Sequence, residues 1–296
     1  MHLAQGHLDA ARKAFEQSRV ILERLAKSDP TNTDWQHSLS IGYERLGGIE
    51  EAAGRLDAAR KMYEKSLKIR ERLAKSDTTN TDWQYGLSVS YNKLGIAEET
   101  AGHLDAARKM YEKSLEISER LAKSDPTNTN WQLGLSVSYE RLGSIEVAAG
   151  RLDTARKVYE QSLAIRERLA KSDPTNTDWQ YGLSVSYERL GFIEEAAGHL
   201  DAARKVYEQS LAIRERLVKS DPTNTEWQRD LSVNYMQLGT VDAAASRPVE
   251  AMALFGKSLD ISSRLAQIDP ARADWKRDRE SVQQRLTQLQ AKPPAR

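Results

Sequence analysis

Thr177-Asp178-Trp179-Gln180-Tyr181-Gly182-Leu183-Ser184-Val185-Ser186-Tyr187-Glu188-Arg189-Leu190-Gly191 is the stretch whose reading decides the fold. Trp179, Leu183, Tyr187 and Leu190 follow at steps of four, four and three, one apolar stripe along a helix. Thr177 and Gln180 fit a capping box, which predicts a helix opening with Thr177 as its cap. The stripe ends near Gly198, a helix stop and turn signal. A second helix is predicted over about Leu200 to Lys219, with Ala203, Val206, Ser210, Ile213 and Leu217 on one row and Tyr207 and Leu211 beside it. Two adjacent apolar rows suit a helix packed on more than one neighbour. Asp221-Pro222-Thr223-Asn224 then breaks the chain.

The same reading recurs along the chain. All 6 tryptophans, Trp35, Trp83, Trp131, Trp179, Trp227 and Trp275, lie 48 residues apart. A fixed period of this size marks a stacked-repeat architecture, in which each repeat buries its apolar face only against its neighbours. No strand alternation occurs, and the short loops predict antiparallel successive helices.

Tyr187-x-x-Leu190-Gly191, then Gly198, then Ala203-x-x-x-Tyr207, then Pro222, resembles the tetratricopeptide repeat pattern. The usual repeat of that family has about 34 residues, against 48 here. The resemblance implies an all-α fold, an α-solenoid of antiparallel helix pairs wound as a right-handed superhelix. It places a single solenoid of about six repeats over residues 1–290, with residues 291–296 a disordered tail by composition. It also implies a protein–protein interaction scaffold that takes a peptide, helix or partner protein in a concave groove. The alternative is a structural spacer or self-association module of a larger signalling or effector protein, since the long repeats look like those of bacterial arrays joined to such domains.

Composition narrows the partners. Lys+Arg 44 against Asp+Glu 43 leaves a net charge of +1, no general attraction for nucleic acid or an anionic membrane. The chain has no cysteine, so disulfides, thiolate metal sites and thiol catalysis are excluded, and a reducing, cytoplasmic location fits. No signal peptide and no run of about 18 apolar residues is visible. No cofactor is expected. His2, His7, His37, His103 and His199 show no metal-ligand spacing, and there is no phosphate-loop pattern. Glu50, Glu98, Glu146, Glu194 and Asp242 recur in register. Equivalent atoms of neighbouring repeats stand roughly 10 Å apart, too far to share a metal, so pairing with Arg or Lys of an adjoining helix, or solvation, is expected. No constellation supports catalysis, so no enzyme activity is expected. The in-helix Gly86, Gly134 and Gly182 suggest close backbone approach.

Columns that vary between otherwise similar repeats locate a candidate ligand groove. Off the core stripe of the first helices runs a row with Tyr85, Val89, Asn92, Ile96 and Glu99. It continues with Leu133, Val137, Glu140 and Ser144, and then with Tyr181, Val185, Glu188, Phe192 and Glu195. In the resembled family this side lines the concave groove. Tyr85, Ile96, Tyr181 and Phe192 supply apolar anchors. Glu44, Glu51, Glu99, Glu140, Glu188 and Glu195 supply an acidic lining, so a basic peptide is the expected ligand.

The ends differ from the middle. The chain opens on a second-type helix of about Leu8 to Lys27, whose Phe15, Ile21 and Leu25 form an apolar face without its usual neighbour; self-association is expected there. At the other end Ser246 replaces the turn glycine, and the helix of about Ala273 to Gln290 is polar. A polar terminal helix suits an array exposed to water.

Overall fold

A computed structural model describes the backbone of residues 2–291 and the side chains of residue 10 and residues 12–291. Among the described residues there are twelve α-helices and no strand. In chain order they are α1 (His2–Ser28), α2 (Thr33–Ala52), α3 (Leu56–Ser76), α4 (Thr81–Thr100), α5 (Leu104–Ser124) and α6 (Thr129–Ala148). Then follow α7 (Leu152–Ser172), α8 (Thr177–Ala196), α9 (Leu200–Ser220), α10 (Thr225–Ala244), α11 (Pro248–Ile268) and α12 (Ala273–Gln290). Two compact units divide the chain, Met1–Val158 and Tyr159–Arg296. In the first unit each helix from α1 to α6 packs on the next; in the second the same holds from α8 to α12. This is the all-α solenoid of paired helices that the repeat predicts. Of the tail 291–296, residues 292–296 lie outside the described residues.

The helix starts obey a different cap from the one expected. Asn176, not Thr177, is the cap of α8, and its side chain accepts a hydrogen bond from the Trp179 N–H at 3.1 Å. Asn32, Asn80, Asn128 and Asn224 do the same for Trp35, Trp83, Trp131 and Trp227. Gln180 is therefore released from capping, and its Nε2 donates to the Ala170 carbonyl at 3.1 Å, tying α8 to the end of the helix before it. The turn ahead is held by Asp173, which accepts from both the N–H and the hydroxyl of Thr175. The opening helix also differs. It runs from His2 through Gly6, instead of starting at Leu8. A lone glycine costs a helix only about 1 kcal/mol, so it does not force a turn. Elsewhere the turn glycines Gly54, Gly102, Gly150 and Gly198 sit at φ of 73, 80, 73 and 78°, the left-handed region that favours glycine. Ser246 occupies the same turn at φ 60°.

Within a repeat the two helices meet at a ring-on-glycine seam. A Cβ on Gly95 would stand 2.4 Å from Tyr111, and on Gly191 2.4 Å from Tyr207, so only glycine admits the ring there. Tyr111 and Tyr207 are wholly buried as a result. Between repeats the buried acidic column does the joining. Glu146 bonds Arg108 of α5 at 3.1 Å and Arg151 of the turn that follows α6. Glu50 takes Arg12 and Arg55, and Asp242 takes Arg204 and Arg247. Glu98 takes Arg60 and the ring of His103. Each carboxylate is nearly inaccessible to water and therefore requires such partners.

Candidate interaction face

The first helices of each unit bring their variable rows side by side. In the first unit α4 contributes Tyr85, Val89, Asn92, Ile96 and Glu99, and α6 contributes Leu133, Val137, Glu140 and Ser144. The two rows touch: the Ser144 hydroxyl donates to Glu99 at 3.2 Å, and the Tyr85 ring lies over Gly134, where a Cβ would stand 3.1 Å from it. In the second unit α8 contributes Tyr181, Val185, Glu188, Phe192 and Glu195. Its row meets α10 where Gln237 Nε2 donates to Glu188 at 3.1 Å, and where the Tyr181 hydroxyl bonds Asp230. Burial pushes the Tyr181 hydroxyl up to about 12, with the Asp230 charge adding to the shift. Phe192 and Tyr181 are the large apolar side chains most open to water on this row, at 48% and 36% exposure. Tyr85 and Ile96 are half-buried.

The acidic lining is more compensated than the sequence suggests. Arg70 of α3 lies buried beneath the face, ion-paired to Glu44 at 2.7 Å, and its Nη1 donates to the Gly86 carbonyl of the next repeat. Arg214 of α9 repeats this with Glu188 and the Asp230 carbonyl. Burial holds the Arg70 guanidinium below its usual range. Glu44 and Glu188 are therefore neutralised. Glu51, Glu99 and Glu195 instead accept from the neutral hydroxyls of Tyr63, Tyr111 and Tyr207, at 2.6, 2.6 and 3.0 Å, and keep their charge on the face. The guanidinium also accounts for two of the in-helix glycines: a Cβ on Gly86 would stand 3.1 Å from Arg70, and on Gly182 1.8 Å from Arg166. Residue-by-residue reading missed these arginines. A signal was present, since Arg70, Arg166 and Arg214 each follow Glu44, Glu140 and Glu188 by 26 residues.

At the opening helix the exposed apolar side chains are Val20 and Ile21, at 57% and 52%. Phe15 and Leu25 are half-buried, Phe15 with the Arg45 guanidinium 5.8 Å from its ring centroid. Among the described residues no group of three or more His, Asp or Glu side chains converges to hold a metal ion. No helix there is long and apolar enough to cross a membrane. An open cleft of about 530 Å³ lies at the turn edge of the first unit, lined by His103, Arg108, Ile145 and Arg151.

Stacked helix pairs that present a mixed apolar and charged face define a helical-repeat scaffold for protein–protein contact. The tetratricopeptide repeat family model matches residues 38–120 and 134–216, more than half of the chain. The chain belongs to the tetratricopeptide repeat family. No curated protein sequence matches it. Among solved structures it is similar to BtubC (BKLC) from P. vanneervenii, with a TM-score of 0.68, 21% identity, and coverage of 87% of this chain and 92% of that one. It is similar to the apo form of RapI, with a TM-score of 0.57, 10% identity, and coverage of 97% and 95%. A Podosopora anserina protein with nearly identical TPR-like repeats aligns with a TM-score of 0.54 and 16% identity, over 79% of this chain and 98% of that one. At these identities the likeness speaks for the fold alone.

Proposed function

We propose that the chain binds a peptide or helical segment of a partner protein along the first-helix face. The observation that carries this reading is Phe192, 48% exposed on a helix that buries Leu183, Tyr187, Leu190 and Ile193. Covering a phenylalanine is worth about 1.5–3 kcal/mol, and such anchors carry most of the energy of an interface. Tyr181 on the same helix, and Tyr85 and Ile96 in the first unit, are the further anchors. The charge that remains on the face is that of Glu51 and Glu99 in the first unit and Glu195 in the second, so a segment with Lys or Arg among apolar residues fits best.

Selection of binders from a random peptide library tests the reading. Phe192→Ala and Tyr181→Ala should each weaken a selected peptide about tenfold or more. Glu99→Gln and Glu195→Gln should keep the tyrosine hydrogen bonds while lowering both the preference for basic peptides and its salt dependence. Unchanged binding in all four variants would place the ligand on another surface, and recovery of acidic peptides would remove the electrostatic half.

A second reading, self-association through α1, has its own observation. Ile21 is 52% exposed, while Ile69, Ile117, Ile165, Ile213 and Ile261 in the same column are 5 to 8% exposed. Light scattering of the wild type against Ile21→Lys checks it: a concentration-dependent mass that the substitution abolishes supports it, and a monomer at high micromolar concentration sinks it.

A further inference from the structure

Two adjoining clefts open in the first unit between α1 and α3, above the core stripe of α2. One has a volume of about 400 Å³ and is floored by Leu39, Tyr43 and Ile69. The other, of about 300 Å³, continues past Pro30 and Leu73 to Ser76. Gln36, Ile69 and Arg72 line both. Glu44 and Glu51, which mark the first-helix face on α2, line neither, so this is a separate surface. Four exposed cations rim it: Lys27, Lys65, Lys68 and Arg72. The carboxylate among the lining residues is Glu23, and it is taken by Arg19 at 2.7 Å and by the Tyr43 hydroxyl. Glu64 and Glu71 of α3 bond Arg60 and Tyr91. Lys65 lies over the Tyr43 ring, 5.2 Å from its centroid, and Arg72 bonds the neutral side chain of Gln36 at 3.3 Å. Among the described residues no carboxylate pairs with Lys27, Lys65 or Lys68.

The positive rim belongs to one repeat. Its first lysine column reads Lys65, Lys113, Gln161, Gln209 and Lys257, and its second reads Lys68, Glu116, Ala164, Ala212 and Asp260. The first repeat alone has a lysine in both. The second and fifth place a carboxylate beside the lysine, and the third and fourth carry no charge at either position. Like charges at steps of three and four on one helix repel each other, a cost that a bound carboxylate removes. Lys65, Lys68 and Arg72 climb α3 by about 4.5 and then about 6 Å. Alternate side chains of an extended segment stand about 6.6 Å apart on one side. Carboxylates at alternate positions therefore keep step with the rim, while the side chains between them turn to the apolar floor. We propose that this cleft binds an extended acidic segment of a partner protein, its carboxylates on Lys65, Lys68 and Arg72 and its apolar side chains against Leu39 and Ile69. The apolar floor, in a chain whose net charge is only +1, favours such a peptide over a nucleic acid.

The test uses the full chain and a fluorescein-labelled peptide of alternating glutamate and leucine, followed by fluorescence anisotropy. Saturable binding that weakens with added salt is expected. The analogue with glutamine in place of glutamate should bind several-fold more weakly. Lys68→Glu, which copies the second repeat, should weaken the probe about fivefold or more, and so should Lys65→Gln with Lys68→Ala, which copies the third and fourth. All of these side chains are exposed, so the fold is not at stake. Lys109→Glu makes the same change in net charge on the exposed surface of α5 and should leave binding unchanged, as should Phe192→Ala. No binding of the probe, equal binding of the glutamine analogue, or indifference to the Lys65 and Lys68 variants would overturn the cleft. An equal loss in Lys109→Glu would reduce the effect to net charge, and a loss in Phe192→Ala would move the peptide to the first-helix face; either overturns it. Tighter binding of a short oligothymidylate with the same dependence on Lys68 would put a nucleic acid in place of the peptide.

Discussion

Single residues in this chain are constrained by space as much as by polarity. Gly95 is the sharpest case. A methyl group there would enter the Tyr111 ring at 2.4 Å, and the ring is wholly buried with nowhere to move. Gly95→Ala gains about 1 kcal/mol of helix propensity, but overpacking of this kind costs typically about 1–3 kcal/mol or more. A net loss in urea denaturation is expected; a stabilised variant would show that the seam is looser than the structure has it. Ser246 is the opposite case. It adopts φ 60° in the turn where Gly54, Gly102, Gly150 and Gly198 serve the other repeats. Ser246→Gly relieves a left-handed serine and should raise stability by up to about 1 kcal/mol. A loss of stability on this substitution would contradict the strain.

At the scale of the helix, the caps and the tyrosine bonds decide which regularities matter. In sequence Thr177 looks like the cap, because Thr three residues before Gln is a common pattern. The structure uses Asn176, whose amide oxygen reaches the Trp179 N–H, and sends Gln180 to the preceding helix. Asn176→Ala should therefore cost about 1 kcal/mol, whereas Thr177→Ala should change thermal stability little; the reverse order would restore the first reading. The tyrosines tie each first helix to its neighbours. Tyr43, Tyr91, Tyr139, Tyr187 and Tyr235 donate to Glu23, Glu71, Glu119, Glu167 and Glu215. Burial first, and then the carboxylate partner, push Tyr43 and Tyr139 up to about 12. The neutral hydroxyl is the form that holds the bond. Its contribution is complete below the ordinary tyrosine value near 10, and is lost as pH rises from there through the folded-state value. Stability should be level around neutrality and fall between about pH 10 and 12, in step with delayed phenol ionisation measured by absorbance. Ionisation of all tyrosines near 10 in the folded protein would refute the bonds.

For the whole molecule, period and stripe were enough to read the architecture, because every repeat states the same pattern and the six tryptophans mark its phase. Helix bounds followed closely, with Leu200–Ser220 found where about Leu200 to Lys219 was expected. The face was legible as a row of positions but not as a charge distribution. A glutamate column reads as an acidic lining until the buried Arg70 and Arg214 beneath it come into view, and these sit on the other helix of the repeat. The bare flank of α1 was likewise legible as an element, whereas Phe15 and Leu25 proved half-buried and Ile21 with Val20 exposed, since packing on α2 is not visible in one helix's sequence. On the reading proposed above, the first-helix face is the surface that meets a partner. A photoreactive residue placed at Phe192, and in a second protein at the exposed Lys205 on α9, tests it most directly with a selected peptide. Crosslinks from position 192 that unlabelled peptide competes away, and none from position 205, are expected. Crosslinking from position 205 with position 192 silent would contradict it.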